Sequence, residues 1–188
     1  MTDRITNRRP IHEGWLGLSM LTLELDTGET IERELVEHPS GAAVLAYDPE
    51  RRVAMVTRQS RPPLIDAGEP PMIEVLAGAL DEDPPEVCAR REAMEEGGIA
   101  LHDLEPVGIV WANSSTSTER IHLFLARYQG ADRVAEGGGL DEEAEHIRVL
   151  ERPLAALAGL VAAGEVRDAK TLILLQALQL RRPALFDR

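Results

Sequence analysis

Residues 78–99, GALDEDPPEVCARREAMEEGGI, constrain this chain more than any other stretch. Asp83 suits a helix N-cap, Pro84 the first helical position, and Glu86 the acid of a capping box. Gly97 and Gly98 supply a stop. The pattern predicts a helix over residues 84–96, with Glu92, Glu95 and Glu96 on one face. Val87 and Met94 fall on another face and are expected to anchor the helix. The acids are badly placed for helix stability. Like charges at i, i+4 cost about 0.2–0.5 kcal/mol a pair, and negative charge in the last turn opposes the helix dipole by about 0.3–1 kcal/mol. Arg91, four before Glu95, offsets part of this. Divalent cations would turn the penalty into binding. A bare Glu-x-x-Glu-Glu reads as a solvated acidic face. The preceding strand, glycine turn and arginine, with the glycine stop behind, weigh against that reading.

Around this segment the pattern is mixed. Residues 16–25 alternate in part, Asp26-Thr27-Gly28-Glu29 is a turn signal, and residues 30–37 follow with Ile31, Leu35 and Val36, which predicts an N-terminal hairpin. Apolar runs at 42–47 and 53–57 predict a second hairpin, and 72–76 a short strand. Residues 61–71 hold four prolines and a glycine and read as a loop. Strands are expected at 107–112 and 120–126, and a mobile loop at 129–145 around Gly137-Gly138-Gly139. Helices are expected at 153–163 and 169–180. The fold class is α/β in the broad sense, an α+β arrangement in one domain.

Charge narrows the partners. Thirty-three acids against 20 bases give a formal net charge of −13, which argues against binding nucleic acid or an anionic membrane surface. Cys88 is the only cysteine, so no intrachain disulfide forms, and a reducing compartment, the cytoplasm, is expected. No run is long and apolar enough for a membrane span. Cys88 reads as a packing residue and His122 as a structural one. His102, His122 and His146 lack metal-ligand spacing.

The segment Arg91-Glu92-Ala93-Met94-Glu95-Glu96-Gly97-Gly98-Ile99 matches every fixed position in the second half of the Nudix box. Gly78 matches its opening glycine one residue closer than usual, and the middle glutamate falls on Asp83 or Glu82. The chain therefore resembles the Nudix hydrolases. It is most similar to the GDP-mannose pyrophosphatase and ADP-ribose pyrophosphatase group, through segments such as 74–78, 86–88, 137–140, 145–147 and 164–171.

The resemblance implies a Nudix fold: a mixed β-sheet sandwiched between helices, with an N-terminal antiparallel hairpin. Residues 1–40 would form a dimerising hairpin and 41–188 the hydrolase domain, giving a homodimer. It implies Mg²⁺-dependent hydrolysis of a nucleoside diphosphate sugar, with Mn²⁺ as a substitute ion. Glu92, Glu96, the Ala77 carbonyl and Glu145 would bind metal. Glu95 would act as ligand or support, and Arg91 would orient a glutamate. The catalytic set is Glu92, Glu95, Glu96 and Glu145, with Glu142 and Glu143 as rivals for the loop base. Arg61 and Lys170 would meet phosphate, Glu119 the sugar, and Arg33 and Glu34 the nucleoside. Trp15 is available to stack on a base or to pack half-buried. A non-catalytic nucleotide-sugar sensor is the alternative, although a pure binder has no need of the glutamate cluster. A structural acidic domain, independent of divalent ions, is a third reading.

Overall fold

The computed structural model describes residues 2–139 and 147–187. A small antiparallel sheet comes first. Strands β1 (Arg4–His12), β2 (Gly17–Glu24) and β3 (Thr30–Glu37) pair in that order. The β2–β3 turn has the expected place, with Gly28 at φ 85°. The predicted hairpin is thus a three-stranded sheet. β1 escaped the sequence reading because all nine of its residues are exposed, so it shows no buried alternation. This sheet joins the rest of the chain through Val36, whose N–H donates to the Thr116 carbonyl and whose own carbonyl accepts from Thr118.

The main sheet runs β10 (Arg148–Pro153), β5 (Val53–Gln59), β4 (Gly41–Asp48), β9 (Arg120–Arg127), β8 (Leu104–Trp111). β4 is its axis and is buried on both faces, as its unbroken apolar run requires. Ala43, Leu45 and Tyr47 face helices α3 (Leu154–Ala162) and α4 (Ala169–Arg181). Ala42, Val44 and Ala46 face helix α2 (Pro85–Gly97). Two cores therefore lie on either side of one mixed sheet, the expected sandwich. Each fully buried leucine among them, such as Leu45, Leu154 and Leu174, contributes about 1.5–3 kcal/mol.

The predicted second hairpin is short. β4 and β5 share only the pairs Tyr47↔Ala54 and Asp48↔Val53 before they part. The expected single strand at 72–76 is two strands that fill this fork. β6 (Met72–Glu74) pairs with β5, and β7 (Leu76–Ala79) pairs with β4. Residues 61–71 also differ from expectation, because Pro62–Asp66 forms a short helix, α1. Proline is tolerated there in the first turn, where its missing N–H has no intrahelical partner.

Candidate active site

Helix α2 has nearly the predicted span but a different start and the opposite face inward. Pro84 is the N-cap, with no side-chain capping bond. Asp83 instead turns toward Arg91, 3.6 Å from its Nε. Val87 and Met94, expected to anchor the helix, are exposed. The inward residues are Cys88, Ala89, Glu92, Ala93, Glu96 and Gly97. Small side chains bring the helix close to β4 and β7, and the two glutamates enter the contact with them.

Their burial is the central feature of the site. Glu92 is 9% exposed and Glu96 3%. Glu96 Oε2 accepts the N–H of Ala77 at 2.9 Å. The Glu92 carboxylate lies on the backbone of Gly78, where an added Cβ would sit 2.2 Å from it. The opening glycine of the motif therefore makes room for the glutamate fourteen residues later. Glu95 is partly exposed on the same helix edge.

Arg91 serves several acids at once. It lies 3.1 Å from Glu92, 3.7 Å from Glu95 and 3.4 Å from Asp81, and donates to the Ala79 carbonyl at 3.0 Å. Burial disfavours its charge, but Glu92 leads the surrounding carboxylates in holding its pKa above the ordinary value. Glu92, Glu95, Asp81 and Asp83 thus gather on one guanidinium, with Glu96 beside them.

This donor set fits a hard divalent cation, since it offers carboxylate oxygens with surplus negative charge. Among the described residues, no three His, Cys, Asp or Glu side chains form a cage on their own.

Gly98 ends α2 at φ 67°, the left-handed stop that glycine adopts freely. The three-glycine segment then packs on that end. Gly138 and Gly139 donate to the carbonyls of Glu96 and Glu95 at 2.8 and 3.1 Å. A Cβ on Gly137 would lie 2.4 Å from the Glu96 carbonyl oxygen. The described part of the expected mobile loop is therefore tied to the helix. Ile147, on the far side, donates to the Gly138 carbonyl. Glu142, Glu143, Glu145 and His146 lie outside the described residues.

Arg61 and Lys170 meet at a residue the sequence reading did not single out. Glu74, 2% exposed in β6, accepts from Arg61 Nε and Nη2 at 3.0 Å each and from Lys170 Nζ at 2.8 Å. Burial pushes the Glu74 carboxyl up, but the bonds and charges of Arg61 and Lys170 outweigh it and hold its pKa below the usual carboxylate range. Burial likewise opposes the charge of Lys170, and Asp168 with Glu74 overcomes it and raises that pKa. A lone acid inside Met72-Ile73-Glu74-Val75-Leu76 was the signal available in sequence.

The remaining candidates lie apart from the glutamates. Trp15 is 74% exposed, not half-buried, and meets the His38 ring edge-on at 5.2 Å. Glu119 stands 3.9 Å from His38 Nδ1, so Trp15 and Glu119 flank one histidine. Arg33 and Glu34 are exposed on β3. Arg33 donates to the Glu32 carbonyl, and no hydrogen bond or ion pair among the described residues joins either one to the Glu92 group. Cys88 is fully buried and donates to the Ala79 carbonyl at 3.1 Å. Burial, then the charge of Glu92, pushes its thiol up to about 11, which fits packing and not nucleophilic chemistry.

Residues 37–174 match the family described as NUDIX domain. A GDP-mannose pyrophosphatase of Cronobacter sakazakii is 41% identical over 177 residues, covering 91% of this chain and 92% of that protein. A GDP-mannose pyrophosphatase of Klebsiella pneumoniae is 38% identical over 175 residues, covering 90% and 87%. A solved structure described as an ADP compounds hydrolase superposes with a TM-score of 0.77 at 18% identity, covering 98% of this chain and 96% of that one. That last likeness bears on the fold.

Proposed function

The chain belongs to the NUDIX domain family, and from that membership we propose that it is a pyrophosphatase hydrolysing a nucleoside diphosphate sugar. The products are a nucleoside monophosphate and a sugar phosphate. GDP-mannose leads as substrate because the names of its relatives point there, and ADP-ribose follows. The observation that carries the reading is the burial of Glu92 and Glu96 against Gly78 and Ala77. A helix selected for packing alone would put apolar groups in those positions.

In this reading Glu92, Glu96 and the Ala77 carbonyl hold Mg²⁺, with Mn²⁺ as a substitute. When bound, the ion neutralises diphosphate oxygens and lowers the pKa of a water. Arg91 pairs with Glu92 and aims it, and Glu95 supports the same group. Arg61 and Lys170 donate N–H bonds to phosphoryl oxygens and hold the diphosphate in the site. Glu145 takes the proton from the attacking water as that water displaces one phosphate from the other. Glu145→Gln should therefore slow turnover more than Glu143→Gln, and the reverse order would reassign the base.

Residues 1–40 act as a dimerising unit on the hydrolase domain of 41–188. The wholly exposed β1, with Ile5 60% and Ile11 46% exposed, supports this, and light scattering of the full chain tests it. In that assembly Trp15, Arg33 and Glu34 serve the nucleoside and Glu119 the sugar. Among the described residues no helix is long and apolar enough to cross a membrane. The single cysteine supports a cytoplasmic setting. The direct test is a panel of GDP-mannose, ADP-ribose, GDP-glucose, NADH and coenzyme A with Mg²⁺, Mn²⁺ or EDTA. Ion-dependent release of a nucleoside monophosphate from a sugar conjugate supports the reading. Inactivity on every compound despite ion binding would overturn it in favour of a sensor.

A further inference from the structure

Glu74 sits at the centre of a closed ring of bonds, and the chemistry above gives it no role. Its carboxylate holds Arg61, the N-cap of α1, and Lys170 from the first turn of α4. Lys170 also donates to Asp168 at 2.9 Å. Asp168 caps α4 by accepting the Thr171 N–H at 2.9 Å. The Thr171 hydroxyl accepts the N–H of Val75 at 2.8 Å, which returns the ring to the residue after Glu74. Glu74 and Thr171 are buried, and Lys170 keeps 14% of its side chain exposed and Arg61 37%. The ring is thus buried at its carboxylate and open at its cations.

The contact pattern matters. The carboxylate grips one edge of the guanidinium through Nε and Nη2. Lys170 gives two of its three N–H bonds to Glu74 and Asp168. An acid needed only for charge balance would not require two cations from separate elements, one of them already paired with Asp168. Resting on the pyrophosphatase reading, we propose that Glu74 is a positioning residue that holds Arg61 and Lys170 at a set separation, as a two-cation clamp for the diphosphate. Glu74 touches neither substrate nor ion. It stands three residues before Ala77, so the clamp is referenced to the same strand pair as the carboxylates of α2.

The test is Glu74→Gln, assayed at saturating Mg²⁺ on GDP-mannose, or on ADP-ribose if the wild type prefers it. Gln keeps the shape and loses the charge that grips both cations. KM should rise at least about tenfold, the scale of a lost charge-assisted bond, while kcat stays within about threefold. In an Arg61→Ala, Lys170→Ala background the same change should move KM less than about threefold, because both groups it positions are gone. A fall in kcat at unchanged KM, or independent and multiplicative effects of Glu74→Gln and that double variant, would overturn the clamp and leave a structural acid. If Glu74→Gln does not fold, Arg61→Ala, Lys170→Ala and the double variant replace it. Non-multiplicative KM effects are expected, and multiplicative ones overturn the proposal. A wild type inactive on every nucleoside diphosphate sugar refutes the functional reading instead. The clamp is then tested by calorimetric binding of magnesium pyrophosphate, which should weaken at least about tenfold in Glu74→Gln. Equal binding would refute it.

Discussion

Gly78→Ala should separate folding from catalysis in this protein. The backbone at Gly78 is not in the left-handed region, so the new methyl is resisted by its surroundings and not by the chain. It would sit 2.2 Å from Cδ and Oε1 of Glu92 and 2.6 Å from Oε2. Restoring ordinary contact at 3.4 Å requires the carboxylate to retreat by about 1.2 Å. That carboxylate is the far end of a flexible side chain, so it can move while the helix stays. The fold loses a partly buried bond to Arg91, worth about 1.5–3 kcal/mol, and regains about 0.5–1 kcal/mol from the reduced freedom of the unfolded chain. The net loss of about 0.5–2.5 kcal/mol lowers Tm by about 1–10 °C. Turnover should suffer far more, since a displacement near 1 Å costs about a hundredfold at a positioned reacting group. The assay is kcat on GDP-mannose with Mg²⁺, beside a thermal melt. A folded variant within about threefold of wild-type turnover would refute the placement of Glu92 at the reacting centre.

Glu96→Gln should cut turnover by about two orders of magnitude or more with a nearly unchanged melt, because the amide oxygen can still accept the Ala77 N–H. Normal activity in the folded variant would remove Glu96 from the ion site. Mg²⁺ should raise Tm through binding to the native state, and EDTA should abolish both that rise and the activity. An equal melt with and without the ion would speak against the site. Glu74 has a lowered pKa in the fold, so the stability it contributes is present above its unfolded value near 4.5 and is lost as pH falls through the folded value. Glu74→Gln should therefore flatten the acid limb of Tm against pH below about 4.5, and parallel limbs would contradict this. Cys88 should stay inert to thiol reagents at pH 8 until the protein is denatured. Rapid native labelling would contradict its burial and raised pKa.

Much of the architecture was legible because its signals are local. The turn at Gly28, the stop at Gly98 and the partial alternation of β2 each depend on neighbouring residues alone. The facing of α2 was not legible in that way. Apolar residues were expected inside, yet Val87 and Met94 point outward and Glu92 and Glu96 inward. The inner face is set by size, since Ala89, Ala93 and Gly97 let the helix approach the sheet, and polarity follows from the site. β1 was missed because a fully exposed strand carries no burial pattern. Glu74 was missed because its partners come from residues 13 and 96 positions away in the chain, a separation no local pattern encodes. Asp83 was read as a cap, but Arg91 competes for the same carboxylate and holds it.

The fork between β4 and β5 makes the site intolerant of changes in length. β6 ends at Glu74 and β7 begins at Leu76, so Val75 alone spans the gap between strands that pair with different partners. Its N–H belongs to neither ladder and is claimed by Thr171. Residues 72–79 thus work as a ruler with two graduations, one at the Arg61 and Lys170 end and one at the Gly78 and Ala77 end. Inserting or deleting a residue at 75 would shift one graduation against the other by about 3.3 Å and flip every side chain beyond it to the opposite face. Side chains along this stretch can be exchanged within the limits of volume and charge, but its residue count cannot change.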